Sequence, residues 1–232
     1  MSRKHLLLAV WPKANCTAIG KLKMDVQAQV KKLSRSQQRR RDDILQAALK
    51  IFDEQGFEAV KMADVAEEAE VAKGTLYLYF ETKSALLEGV VETAIIPTLQ
   101  KIGEMAQSHS GSARDLLVQQ MQIAAARMAS PEMKMLLRLM ISGGSSHSGI
   151  VDFYYNNVVQ TGLTHFKATL DQGVESGEFR PEVEDIDPLV LVGAPLYTAV
   201  WNILFDEKQT IDAEQLVNDH LEIVLNGILK EY

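Results

Sequence analysis

The sequence predicts an all-α chain, with a small N-terminal three-helix unit followed by a larger helical body. Three observations carry this. Apolar residues recur at helical spacing from residue 44 onward, and no stretch sustains the period-two alternation of a strand. Two short apolar stripes, Met62 to Ala69 and Leu76 to Phe80, are joined by a tight turn, the signature of a helix-turn-helix. Charge is unevenly placed: the first 83 residues carry a net +4 and the rest −11, within an overall −7.

The bulk numbers bound the answer. With 232 residues, 47% of them hydrophobic, the chain can build one large domain or two small ones with a real core. A basic front joined to an acidic body suggests a polyanion partner at one end only. The single Cys16 excludes an internal disulfide framework and fits a reducing, cytoplasmic setting. Residues 1–34 are expected to be a disordered basic extension. Their apolar run, Leu6 to Trp11, is too short for a signal peptide and has no small-residue cleavage site after it. Met24 opens an ordinary polar lead-in, so whether residues 1–23 belong to the native protein stays open. "PLVLVGAPLYTAVWNILF", residues 188–205, falls short of a membrane span of ~20 residues and holds two prolines and Asn202. It is read as a helix buried between protein surfaces, with no membrane partner.

Each element follows in order. Ile44, Leu45, Ala48, Ile51 and Phe52 form the stripe of a first helix, which Gly56 ends. Met62, Val65, Ala66 and Ala69 give a second, two turns long. Leu76 and Phe80 give a third short helix one inner face. A long fourth helix is expected after Thr82 as N-cap, carrying Leu86, Leu87, Val90, Val91, Ala94 and Ile95, with a kink at Pro97. Further helices are expected near 113–129, 132–142, 149–176, 187–206 and 213–230, separated by polar, glycine-bearing loops. Glu184, Asp185 and Asp187 are read as caps of the next helix. The division falls within the fourth helix: residues 35–83 as a helix-turn-helix unit, residues 84–232 as the body.

The third helix carries the chemistry. With Leu76 and Phe80 inward, a wheel of 100° per residue places Lys73, Gly74, Tyr77 and Leu78 outward, flanked by Thr75 and Tyr79. Lys73 sits where helix N-terminal amides already favour phosphate. Gly74 lets backbone approach a partner closely. Tyrosine hydroxyls can bond phosphate oxygens, while the rings and Leu78 can touch thymine methyls. Lys83 is read as a second phosphate anchor. Lys31, Lys32, Arg35, Arg39, Arg40 and Arg41 form a basic arm of the kind that reaches an adjacent minor groove. Together these point to double-stranded DNA.

Residues 39–92, "RRRDDILQAALKIFDEQGFEAVKMADVAEEAEVAKGTLYLYFETKSALLEGVVE", resemble the N-terminal domain of the TetR (tetracycline-repressor-like) family of bacterial regulators. The residues that carry the resemblance are Gly56, Phe57, Asp64, Val65, Ala66, Lys73 through Tyr77, Tyr79, Phe80 and Lys83. Three positions depart from the family pattern. Glu70 stands where the turn glycine is usual, Ala72 replaces the serine that caps the recognition helix, and Lys61 replaces Thr/Ser and could grip phosphate itself. The resemblance implies a homodimeric, ligand-responsive transcriptional repressor on a palindromic operator. The DNA-contacting set is then Arg39, Arg40, Lys61, Lys73, Gly74, Thr75, Tyr77, Tyr79 and Lys83.

The body is less explicit. Met121, Met128 and Met135, with Phe153, Phe166, Tyr197 and Trp201, read either as core filler or as the adaptable wall of a pocket for a small hydrophobic effector, neutral or cationic against the acidic body. Val217, His220, Leu221, Val224 and Ile228 make a stripe expected to pair with the 187–206 helix across a two-fold axis. No catalytic residue, metal or cofactor is expected: the five histidines lack ligand spacing, and "GGSSHSG" fails the G-x-S-x-G pattern. The reading from another class is an all-helical interaction or structural protein whose helix-turn-helix no longer binds specific DNA, motivated by Glu70 and Ala72.

Overall fold

The computed structural model describes residues 33–143, 148–205, 208 and 211–229. The extension up to Lys32, including Lys31 and Lys32 of the basic arm, lies outside the described residues. Residues up to Arg40 and from Arg41 onward form two compact units. Of the first, residues 33–40 are described. Ser34 starts helix α1 (Arg35–Ala59) with a reciprocal cap: its hydroxyl accepts the Gln37 N–H at 3.3 Å, and the Gln37 side chain accepts the Ser34 N–H at 2.8 Å.

Among the described residues of the second unit the regular elements are helices, with one isolated bridge between Phe179 and Leu229. In α1 the expected stripe is buried, with Ile44 and Ala48 at 0% exposure. Gly56 breaks the helix with φ 75°, ψ 159°, a conformation only glycine adopts without strain. That break lets Phe57 fold back onto Phe52, ring centroids 5.7 Å apart. Helix α2 (Met62–Glu68) buries Val65 and Ala66. Its turn into α3 (Lys73–Tyr79) is a Schellman motif: the Val71 N–H reaches the Ala66 carbonyl and the Glu70 N–H the Glu67 carbonyl. Glu70 holds the left-handed position with φ 52°. Ala72 caps α3 without a side-chain bond.

Helix α4 (Lys83–Ala94) starts at Thr82, whose hydroxyl accepts the Ala85 N–H at 3.0 Å. Gly89 lets it lie directly on Phe80: a Cβ there would come within 2.7 Å of that ring. The expected long, kinked helix is instead two helices. The chain breaks at Ile95, and α5 (Ile96–Ser108) restarts with Pro97 in its first turn. Proline lacks the N–H to continue α4 but fits a helix start, where that N–H has no intrahelical partner.

Helices α6 (Ala113–Met128), α7 (Pro131–Gly143) and α8 (Ser148–Tyr154) follow. The Glu178 carboxylate reaches across to the start of α6, accepting the Ala113 and Arg114 N–H groups at 2.9 and 3.2 Å. The single helix expected over 149–176 is α8, one π-helical turn (Tyr155–Val159), and α9 (Gln160–Glu175). The acidic loop forms a 3₁₀ turn, Pro181–Asp185, holding Glu184 and Asp185. Of the expected acidic caps, Asp187 caps the next turn, Pro188–Val192, by accepting the Leu189 N–H at 2.9 Å. Helices α10 (Gly193–Phe205) and α11 (Ala213–Ile228) complete the body. By length and composition Pro188–Phe205 would pass for a membrane span. In the structure it is split into a 3₁₀ turn and α10, whose Pro195, Thr198 and Ala199 are buried.

Two apolar clusters form the core. The first runs without interruption from Ile44 of α1 through Leu76, Phe80 and Val90 to Met133, Leu136 and Leu137 of α7. The second joins Leu117 and Met121 of α6, Phe166 and Leu170 of α9, Phe179, and Val217, Leu221, Leu225 and Ile228 of α11. This corrects the expected dimer stripe. Val217, Leu221 and Ile228 are each 5% exposed and spent inside the chain, with Val224 packed against them and His220 half-buried. A helix needs its widest apolar face for its own core first, here against α6.

Candidate nucleic-acid interface

The outward face of α3 is built by its inward one. Leu76 at 0% and Phe80 at 5% exposure plug the helix into the first cluster, which fixes its rotation. Lys73 and Gly74 are then exposed, Tyr77 is 42% and Leu78 85% exposed, and Thr75 and Tyr79 are half-buried. Tyr79 also packs against the first cluster. Lys61 is exposed at the N-cap of α2. Its backbone N–H donates to the Asp64 carboxylate at 3.1 Å, which leaves its ammonium out of the cap. Arg39 and Arg40 are exposed on the opening turns of α1.

Lys83 is placed differently from the expectation. Its ammonium donates to the backbone carbonyls of Phe57, Glu58 (3.1 Å) and Val60 (3.0 Å) and lies 4.5 Å from the Phe57 ring centroid. These carbonyls follow the break at Gly56, where α1 can no longer supply their partners. A cation at a helix C-terminal end meets the negative end of the dipole as well. The three ammonium protons are therefore used on the chain itself, and the phosphate anchor of the sequence reading is a clamp between α4 and the end of α1. Arg41 is likewise internal. Its guanidinium reaches Glu92 at 3.3 Å and covers the Phe80 ring at 5.5 Å, so it does not belong to the free arm. Burial pushes the Glu92 carboxyl above the usual range, Arg41 draws it back, and Glu88 raises it further; Glu88 is itself raised by burial.

The expected pocket residues are divided between the two clusters and the surface of α10. Met121 and Phe166 sit in the second cluster, and Met135 in the first with Met128 and Phe153 packed against it. Tyr197 is 54% exposed and starts an aromatic ladder along α10, 5.8 Å from Trp201, which lies 4.8 Å from Phe205. Sequence reasoning placed Tyr197 and Trp201 in the pocket because both are aromatic; their spacing of four along one helix was the available signal for a surface stripe. With Leu196, Leu204 and Ile223 also exposed, this is the apolar face that α10 and α11 leave open.

An ion pair ties the body to α1. Arg138 of α7 meets Asp53 of α1 at 3.2 Å, and the first cluster is continuous between the same two helices. Within the body, buried Tyr154 of α8 donates its hydroxyl to the Met133 sulfur of α7 at 3.2 Å; burial pushes its phenol up to about 12, with Arg127 acting the other way.

Comparison with known proteins agrees with this geometry. Residues 44–90 match the family described as bacterial regulatory proteins, tetR family. The chain is 30% identical over 171 residues to the HTH-type transcriptional regulator YhgD of Bacillus subtilis, covering 72% of this chain and 83% of that one. It is 54% identical over 54 residues to the HTH-type transcriptional repressor KstR of Mycolicibacterium smegmatis, 23% of this chain and 26% of that one. The crystal structure of the transcriptional regulator FadR from Bacillus subtilis, in complex with stearoyl-CoA, shares the fold with a TM-score of 0.63 at 21% identity, covering 80% of this chain and 98% of the other. With a helix-turn-helix at residues 62–79 and likeness to YhgD along most of its length, the chain belongs to the tetR family of bacterial regulatory proteins and is a transcriptional regulator.

Proposed function

We propose that the chain is a cytoplasmic, homodimeric repressor that holds a palindromic operator through α3 and releases it when a small apolar molecule binds among the helices of the body. The observation that carries the DNA reading is the outer face of α3: Leu78 at 85% and Tyr77 at 42% exposure beside exposed Lys73, on a helix whose other face is sealed by Leu76. An outward leucine and tyrosine do nothing for the fold of a seven-residue helix. They suit a major groove, with Lys73 and Lys61 on phosphates. Arg39 and Arg40, exposed on α1, bind phosphate as well in this reading. KstR, a repressor, supports the repressing sense.

Residues 35–83 serve DNA and residues 84–232 serve the effector and the dimer in this reading. The division is one of function, since the first apolar cluster crosses it. That continuity supports coupling: a guest that shifts α5 or α7 acts on helices packed into the same core as α1 and α4. The stearoyl-CoA held by FadR supports an apolar effector. The dimer uses the open face of α10 and α11, Leu196, Tyr197, Leu204 and Ile223 among its residues, which sets two α3 helices in grooves about 34 Å apart.

The test is a mobility shift on the DNA upstream of the chain's own gene, across a salt series, with thermal-shift hits added afterwards. A salt-dependent, saturable shift that a hit reverses is expected. Absence of any shift would favour the interaction-protein reading, for which the left-handed Glu70 and the uncapped Ala72 speak.

A further inference from the structure

In the middle of the body two polar side chains are sealed among apolar ones. Gln120 of α6 is 0% exposed and Thr169 of α9 is 1% exposed. The Thr169 hydroxyl lies 2.9 Å from Gln120 Oε1 and 3.3 Å from the carbonyl of His165, one turn earlier on α9. Gln120 Nε2 is buried without a hydrogen-bond partner among the described residues. Turning the amide over does not help. Nε2 would then donate to the Thr169 hydroxyl, which would pass its own proton to His165, and Oε1 would be the orphan. Either way one amide atom is unmatched in an apolar core, which costs the fold stability.

The surroundings say what could match it. One turn away on α6 are Leu116, Leu117, Ile123 and Ala124; on α9 they are His165, Phe166, Gln172 and Gly173. None carries a fixed charge, and His165 is the titratable one among them. Helix α5 closes the third side, where Gly103 leaves room for the His165 ring: a Cβ there would come within 2.6 Å of it. An ion brought to Gln120 would lose its water and find no fixed countercharge among these neighbours, whereas a single hydroxyl or carbonyl would lose little and gain the amide.

We propose that Gln120, positioned by Thr169, is the polar reader of the effector site, selecting an uncharged, mostly apolar molecule that carries one hydrogen-bonding oxygen. This rests on the effector reading above and narrows the expected neutral or cationic guest to a neutral one.

The experiment uses the full chain and four matched probes: 1-decanol, methyl decanoate, decanoate and decylamine. Binding is measured by calorimetry on wild type, Gln120→Leu and Gln120→Met. Wild type should bind at least one neutral probe about tenfold more tightly than either charged one, and both variants should lose about tenfold for that neutral probe. Both variants should also unfold at the same or higher denaturant concentration than wild type, because they remove an unmatched amide; two variants guard against one that packs badly. Charged probes binding as tightly as neutral ones, no neutral probe binding, unchanged affinity in both variants, or a marked loss of stability in both would each overturn the proposal. Operator release is read separately on the same samples. A probe that binds through Gln120 but leaves DNA affinity unchanged would contradict the effector reading while leaving the site in place.

Discussion

The Lys83 ammonium lies 4.5 Å from the centre of the Phe57 ring and donates to the carbonyls on either side of Glu58's peptide, so the start of α4 is fastened to the end of α1. Lys83→Ala removes these bonds and leaves carbonyls beyond the Gly56 break without that donor. The expected loss is about 1–3 kcal/mol, read as a lower denaturant midpoint. The slope of operator affinity against salt should not change, because no phosphate contact is lost. A slope lower by about one with stability unaltered would return Lys83 to the role of phosphate anchor.

Glu70→Gly should stabilise the chain by roughly 1 kcal/mol, since glycine takes φ 52° without the steric cost a side chain meets there. Ala72→Ser should add about 1 kcal/mol by capping α3. Thermal or denaturant unfolding checks both. Destabilisation by Glu70→Gly would mean that the Glu70 side chain contributes more than its backbone conformation costs.

These two positions show how far the sequence reached. Glu70 and Ala72 stood out because the family pattern that the sequence resembles has a turn glycine and a capping serine there, and the structure shows Glu70 left-handed and Ala72 without a side-chain cap. The α3 face was equally legible, because Leu76 and Phe80 set its rotation by periodicity alone. Lys83 was not. Its role depends on carbonyls 23 to 26 residues upstream, exposed by a break at Gly56, and no local pattern reports such a meeting. The same holds for Arg41, whose partner Glu92 lies 51 residues on. Val217, Leu221 and Ile228 failed for another reason: an apolar stripe announces burial without saying whether the neighbour is the same chain or a second copy.

The Glu92 carboxyl gives a pH signature. Its value is raised in the folded chain, chiefly by burial. A carboxyl raised on folding prefers its proton in the native state, so its burial cost is fully present above the folded value. That cost is lost as pH falls to the unfolded value near 4.5. Glu92→Gln, neutral at every pH, lacks this dependence. The stability of wild type relative to Glu92→Gln should therefore rise as pH is lowered through the raised value. Denaturant unfolding of both proteins from neutral pH down to about 4 measures it; a difference that is flat, or that falls toward acid pH, would show that Arg41 outweighs the burial.

The open face of α10 should be the dimer contact. Leu204 is 58% and Tyr197 54% exposed on the same helix. Leu204→Asp places a charge in that face and should shift sedimentation toward monomer at micromolar concentration, while Val217→Asp should instead unfold the chain by charging its core. Equal sedimentation of wild type and Leu204→Asp would move the interface elsewhere.

The central claim is that α3 reads DNA through its outward face. The most direct measurement is operator affinity as a function of salt for wild type, Lys73→Ala and Tyr77→Ala, each checked for unchanged stability. Lys73→Ala should lower the salt slope by about one, as a single phosphate contact requires, and Tyr77→Ala should weaken binding with the slope kept. Identical affinities and slopes for all three folded proteins would contradict the account.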